Sequence, residues 1–201
     1  MIMRRSLLTA AFLLGVGTAA PIMAAVDPAA FINDLGNQAL AALSPAASPQ
    51  QRVVAFRALF RRNFYVSQIA RFVLGPYWRV ATPEQQQEFL RLFTNYIALA
   101  YSTRLSQYSG ERLVVTGWQP QPEGAVVSSQ VARPGGGPPV RIDWRMTRYG
   151  GAYKINDVVV DGISMAITER SEFASVIQRT GGNVQGLLAM LRAKTAGVAG
   201  G

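Results

Sequence analysis

The sequence contains no histidine and no cysteine. A serine hydroxyl is a weak nucleophile until a neighbouring base takes its proton, so a Ser-His-Asp arrangement is excluded. A Ser-Lys pair would have to use Lys154 or Lys194, the two lysines of the chain. Without imidazole or thiolate, zinc sites, most transition-metal chemistry, thiol redox and disulfides fall away. No metal and no cofactor are therefore expected. Acid–base work is left to 11 Asp and Glu, spread thinly and in no recognisable catalytic spacing. Asp143 or Asp157 would be the candidate base of an enzyme, if an apolar pocket raised its pKa. Turn and strand-end solvation is the favoured reading of Asp157 and Asp161. Long apolar runs are also scarce: no segment approaches the roughly 20 residues of a membrane span.

The longest apolar run lies at the N-terminus. Arg4-Arg5 precedes apolar residues from Leu7 to Val16, and small residues continue to Ala24-Ala25. This is the order of a secretory signal peptide, expected over residues 1–25, with cleavage after Ala24 or Ala25. A single domain is then expected over 26–195 and a flexible tail over 196–201. An exported chain without disulfides must rest on its core, and about 175 residues suffice for one. The formal charge of +9 becomes +7 when Arg4 and Arg5 are subtracted. After export, the counterpart of that charge is an anionic membrane surface or an acidic partner rather than nucleic acid.

The hydrophobic period divides the chain. Asp27-Pro28 starts a helix with Phe31, Leu35 and Ala39 on one face. Ser48-Pro49 starts another, with Val53, Phe56, Leu59 and Phe60 inward and Arg57, Arg61 and Arg62 on a basic edge. A short helix covers Val66 to Leu74 and stops at Gly75-Pro76. Thr82-Pro83-Glu84-Gln85 is a capping box, followed by a long helix that Gly110 closes. The period then becomes two, over Arg112–Trp118, Ala125–Ala132, Val140–Thr147 and Tyr153–Val160. Val140, Ile142, Trp144 and Met146 share one face of the third strand. Short turns between these strands make an antiparallel meander. Helices return at Ser164–Arg179 and after Asn183, read as the cap of the last one. The fold class is α+β: a four-stranded sheet flanked by N- and C-terminal helices.

One stretch raises a chemical question. In "DVVVDGISMA", residues 157–166, a β-branched run ends at Asp161-Gly162, and Gly162-Ile163-Ser164-Met165-Ala166 approaches the G-x-S-x-G turn that exposes a nucleophilic serine. With no histidine to activate it, Ser164 reads as an N-cap, which needs no further partner.

Three segments together resemble the MlaC / toluene-tolerance family of periplasmic phospholipid-binding proteins. They are "NFYVSQIARFVLGPYWRVATPEQQQEFLRLFTNYI" (63–97), "YSGERLVVTG" (108–117) and "INDVVVDGISMAITERSEFASVIQRTGGNVQGLLAML" (155–191). The last is the most specific, with its Asp-Gly turn, Ser164, Arg170-Ser171-Glu172-Phe173 and Gly-Gly break. Where some members carry an acidic residue, this chain has Asn63 before Phe64. The resemblance implies a non-enzymatic soluble carrier in the periplasm, passing phospholipid between an outer-membrane lipoprotein complex and an inner-membrane ABC transporter complex and so maintaining outer-membrane asymmetry. It implies a curved antiparallel sheet wrapped by helices, with acyl chains in an apolar cavity between the layers. A hopanoid-associated branch of the family and a non-lipid-binding envelope adaptor are the alternatives.

Burial gains about 0.8 kcal/mol per CH2, roughly 25 kcal/mol for two 16-carbon chains. A carrier must therefore enclose both tails. The candidate wall is Phe60, Phe64, Ile69, Phe72, Val73, Phe93, Tyr96, Ile97, Val140, Ile142, Trp144, Met146, Ile163 and Met165, each of which could equally be plain core. Arg61, Arg62, Arg71 and Arg145 are candidates for holding a head-group phosphate, for docking a partner, or for transient contact with a membrane surface.

Overall fold

The computed structural model describes residues 27–42, 46–105, 111–132 and 136–198. The expected leader over 1–25, the helix stop at Gly110 and residues 199–201 of the expected tail lie outside them.

Among the described residues five helices come first: α1 (Pro28–Ala42), α2 (Pro49–Asn63), α3 (Val66–Leu74), α4 (Tyr77–Val80) and α5 (Pro83–Leu105). Their starts follow the local chemistry. The Ala29 N–H donates to Asp27 Oδ1 (3.0 Å) at the head of α1. Reciprocal Ser48/Gln51 and Thr82/Gln85 bonds box α2 and α5. The turn α4 was not expected, because Gly75-Pro76 reads as a stop. Pro76 instead takes helical angles and opens one more turn. Gln86 of α5 then holds that turn, its Nε2 donating to the carbonyls of Trp78 (2.8 Å) and Ala81 (3.3 Å).

The strands β1 (Arg112–Gln121), β2 (Gly124–Ala132), β3 (Val140–Tyr149), β4 (Ala152–Val160) and β5 (Ile163–Ser164) form one antiparallel sheet in sequence order. Two details differ from the expected meander. First, β1 runs on to Gln121 through Pro120, which an edge strand tolerates because its N–H side needs no partner. Second, the two-residue β5 adds a fifth strand. It folds back through a tight turn at Asp161 (φ 47°) and Gly162 (φ 86°), a left-handed pair that Asp-Gly supplies at little cost. Helices α6 (Met165–Arg179) and α7 (Val184–Thr195) complete the domain. Asn183 precedes α7, but its side chain makes no cap bond, contrary to the expectation. Residues 196–198 form a single 3-10 turn.

Packing divides the interior in two. Helix α1 lies on β1 and β2, so closely that a Cβ on Gly36 would sit 2.8 Å from Leu113 Cδ2. Ile32 and Leu35 of α1 join Ala125, Val127, Met146, Tyr153 and Ile155 in a sheet-side cluster. The other five long helices assemble a second cluster around Phe89, Phe93, Phe173, Leu187 and Leu191. The two are sewn together at the end of α2, where Phe64 bridges to Ile155 and the Tyr65 N–H donates to the Ile155 carbonyl (2.8 Å).

Candidate functional site

The junction of the two clusters is the candidate site. Phe64 packs against both. Helix α2 ends at Asn63, whose Nδ2 donates to the Leu59 carbonyl (2.9 Å). The extended backbone at Phe64 then turns its ring towards Phe60, with centroids 4.8 Å apart. Phe60 in turn meets Phe93 at 6.2 Å. On the sheet side Trp144 satisfies its indole N–H with Ser129 Oγ (2.8 Å), which leaves the ring free for apolar contact. Among the described residues Arg57 is the one buried charged side chain, and it donates to Asn95 Oδ1 (3.0 Å) between α2 and α5. The junction is lined by apolar side chains.

Of the fourteen candidate wall residues Phe64 sits at the junction, and the other thirteen separate into four groups. Phe60, Ile69, Val73, Phe93 and Ile97 belong to the helical cluster, with Tyr96 packed against it. Met146 belongs to the sheet-side cluster, with Trp144 packed against it. Val140, Ile142 and Met165 are half-buried outside both. Phe72 (42% exposed) and Ile163 (60% exposed) lie on the surface. Phe72 points away because Ile69 and Val73 take the inner face of the nine-residue α3, and Ile163 sits on the short edge strand. The buried members pack into these two clusters, which meet at Phe64 in a seam between the helices and the sheet.

The four arginine candidates do not converge. Arg145 is paired with Asp157 Oδ2 at 3.2 Å, on the face of β3 opposite Trp144. Arg62 donates to Gln38 Oε1 (2.9 Å), and its carbonyl receives Lys154 Nζ. Arg61 is exposed beside it, while Arg71 lines a surface cleft on α3. Ile155 at the junction and Val127 in the sheet-side cluster, both fully buried, are absent from the candidate wall. Their period-two alternation, as in Tyr153-Lys154-Ile155-Asn156, was the available signal.

Ser164 is a cap. Its Oγ accepts from the Ile167 N–H (3.1 Å) and donates to Asp157 Oδ2 (2.7 Å). Asp157 Oδ1 accepts from the Ala166 N–H (3.1 Å). A bulge between Arg145 and Met146 in the β3–β4 pairing sets Asp157 opposite Arg145, and the β5 return brings Ser164 opposite Val159, on that same face. The carboxylate thus anchors the start of α6.

Titration is perturbed elsewhere. Burial, with Glu172 adding, pushes Glu169 up to about 7 against the opposing pull of Arg104 and Lys194. Glu169 Oε2 is buried without a hydrogen-bond partner. Burial also pushes the Tyr101 phenol up to about 12.

No described helix is long and apolar enough to cross a membrane. The family model described as "MlaC protein" matches residues 34–193. Toluene tolerance protein ttg2D of Pseudomonas putida is 26% identical over 108 residues, which is 54% of this chain and 50% of that protein. The intermembrane phospholipid transport system binding protein MlaC of Haemophilus influenzae is 23% identical over 113 residues, 54% of this chain and 53% of that one. The chain thus spans about half the length of these curated relatives. A phospholipid-binding protein from Ralstonia solanacearum, solved in complex with a phospholipid, has the same fold: TM-score 0.72, 23% identity, covering 87% of this chain and 99% of that one.

Proposed function

This chain belongs to the MlaC family, and from that premise we propose that it is a carrier that takes phospholipid acyl chains into the seam around Phe64. The observation that carries this reading is the division of the core. Two apolar clusters meet at one half-buried ring. Parting them there exposes carbon to carbon, and acyl chains that refill the gap restore the contact on both sides. The transfer gain for two tails, roughly 25 kcal/mol, is the term available to offset that opening. The name of the Haemophilus relative and the phospholipid complex of the structural neighbour support the choice of ligand.

The carrier works in the periplasm, between an outer-membrane complex and an inner-membrane ABC transporter complex. The exported character expected from residues 1–25 and the name of the Haemophilus relative support this placement. It performs no covalent step. The Ser164–Asp157 pair is committed to helix capping, which supports that part of the reading.

The test is direct. The protein is purified from expressing cells, denatured, extracted with organic solvent and the extract identified by mass spectrometry. Close to one diacyl phospholipid per protein is expected. A hopanoid instead would reassign the ligand. Nothing bound, with no uptake of labelled phospholipid from vesicles, would refute the carrier and leave an adaptor.

A further inference from the structure

We propose that the cleft formed by the end of α3, the turn α4 and the outer face of α6 is a docking surface for an anionic phospholipid bilayer. The cleft has a volume of about 350 Å3, and three arginines, Arg71, Arg79 and Arg170, line it. None of the three lies in ion-pair range of a carboxylate among the described residues. For Arg71 and Arg79 the local sequence explains why: no Asp or Glu occurs between Asp34 and Glu84, a stretch that carries six arginines, whereas Arg170 comes from α6, beside Glu169 in sequence. Three guanidiniums around one depression, with no carboxylate partner among the described residues, mark a surface for an anion.

The apolar groups on the same surface decide which kind. Phe72 and Trp78 line the cleft with the arginines, and the Arg170 guanidinium lies 5.1 Å over the Phe72 ring. Beside the cleft, Val80 is 76% exposed. Ile167, one turn before Arg170 on α6, is 55% exposed. Arginine stems that lay carbon along a surface and hold charge at its edge, next to a tryptophan and protruding aliphatics, match the head-group layer of a bilayer. An open surface cleft encloses no whole ligand, whereas small-molecule sites cover most of theirs. A broad anionic partner fits better.

The surface is built in advance. Gly75 has φ +59°, and a Cβ there would sit 3.1 Å from Arg170 Nε. Glycine is what lets the guanidinium lie over this turn. The Gln86 bonds hold Trp78 in place from α5. Helix α3 presents Arg71 and Phe72 to the cleft, while its Ile69 and Val73 enter the helical cluster. Docking would therefore hold one wall of the seam against the membrane. That purpose rests on the carrier reading; the surface itself does not.

The experiment is flotation of the purified protein with vesicles of phosphatidylcholine, alone or with phosphatidylglycerol added. Binding is expected only with phosphatidylglycerol and is expected to weaken as salt rises. The combined Arg71→Glu, Arg79→Glu, Arg170→Glu variant should bind on the order of 100-fold more weakly. The combined Arg112→Glu, Arg141→Glu, Arg179→Glu variant carries the same charge change at exposed positions elsewhere and should lose less than about tenfold. Val80→Asp, a single change at an exposed site, should also weaken binding and serves if the first variant fails to fold. Equal losses in the two triple variants would overturn the proposal, as would wild-type protein that ignores phosphatidylglycerol vesicles; the latter result would point to an acidic protein partner. Lipid extraction separates the two readings. A cleft variant that keeps its co-purified lipid but loses the vesicles supports docking with the carrier reading intact. Wild-type protein without lipid that still binds vesicles through these residues supports docking and sinks the carrier.

Discussion

Replacing Asp157 with Ala removes three partners at once. The Ser164 hydroxyl donates to it at 2.7 Å, the Ala166 N–H at 3.1 Å and Arg145 Nη1 at 3.2 Å. Hydrogen bonds to a charged acceptor contribute about 1.5–3 kcal/mol each when shielded from water. The Arg145 pair counts for less, at most about 1 kcal/mol, because that guanidinium is 53% exposed. The expected loss is at least about 3 kcal/mol in all, which lowers Tm by at least about 6 °C for a domain of this size. Ser164→Ala alone should cost about 1 kcal/mol, a lost cap. The two changes share a bond, so their combination should fall short of the sum by at least about 0.5 kcal/mol. The assay is thermal and denaturant unfolding of delipidated protein, since a ligand on the folded state adds its own stabilisation. Ester hydrolysis and lipid content are measured on the same samples. Additive losses within about 0.3 kcal/mol would refute the shared bond. A hydrolytic activity abolished by Ser164→Ala, with Tm unchanged, would refute the capping role itself.

Other changes probe the rest of the molecule. Phe64→Asp places a carboxylate where the two clusters meet and should abolish co-purified phospholipid, whereas Trp118→Asp, on an exposed strand position, should leave the lipid in place; equal lipid content in both would refute the seam. Glu169, pushed up to about 7 from an ordinary 4.5, keeps its proton longer in the folded state than in the unfolded one. Its presence therefore lowers stability as pH rises from about 4.5 to 7. Glu169→Gln should be more stable than wild type by on the order of 1–3 kcal/mol above that range and equal to it below. Urea midpoints at acid and alkaline pH decide this, and identical pH slopes would contradict it. The groups facing Glu169 are Arg104, Tyr96 and Tyr101 on α5, Glu172 on α6 and Lys194 on α7. Gly124→Ala would bring a Cβ within 2.0 Å of the Met146 carbonyl oxygen. Because that neighbour is backbone, the β2–β3 pairing must shift, at a cost of at least about 3 kcal/mol, read as a Tm loss above about 6 °C.

Much of the architecture was legible where one residue's neighbours in sequence decide its state. The α3 boundaries follow from a nine-residue apolar period closed by Gly75, and the α5 start from the Thr82/Gln85 box. The period-two runs located four strands, because alternate side chains must face opposite sides of a sheet. Misses came where a distant partner overrode a local signal. Gly75-Pro76 reads as a stop, yet Gln86 holds one more turn beyond it. Pro120 reads as a turn residue, yet it sits in an edge strand. Burial within the candidate wall was not legible either. Phe72 and Val73 are adjacent and both apolar, and only the position of α6 decides that one lies under Arg170 at the surface and the other in the core.

The sequence by itself determined the chemistry this protein does without, the period of each element, the Asp161-Gly162 return and the cap at Ser164, because each depends on groups within a few residues of one another. Only the tertiary structure decided that Phe64 joins two cores, that Asp157 anchors α6, and that Arg71, Arg79 and Arg170 gather around one cleft with no ion pair among the described residues. Those facts depend on which distant surfaces meet, and a one-dimensional pattern of apolar and polar residues is compatible with many such meetings.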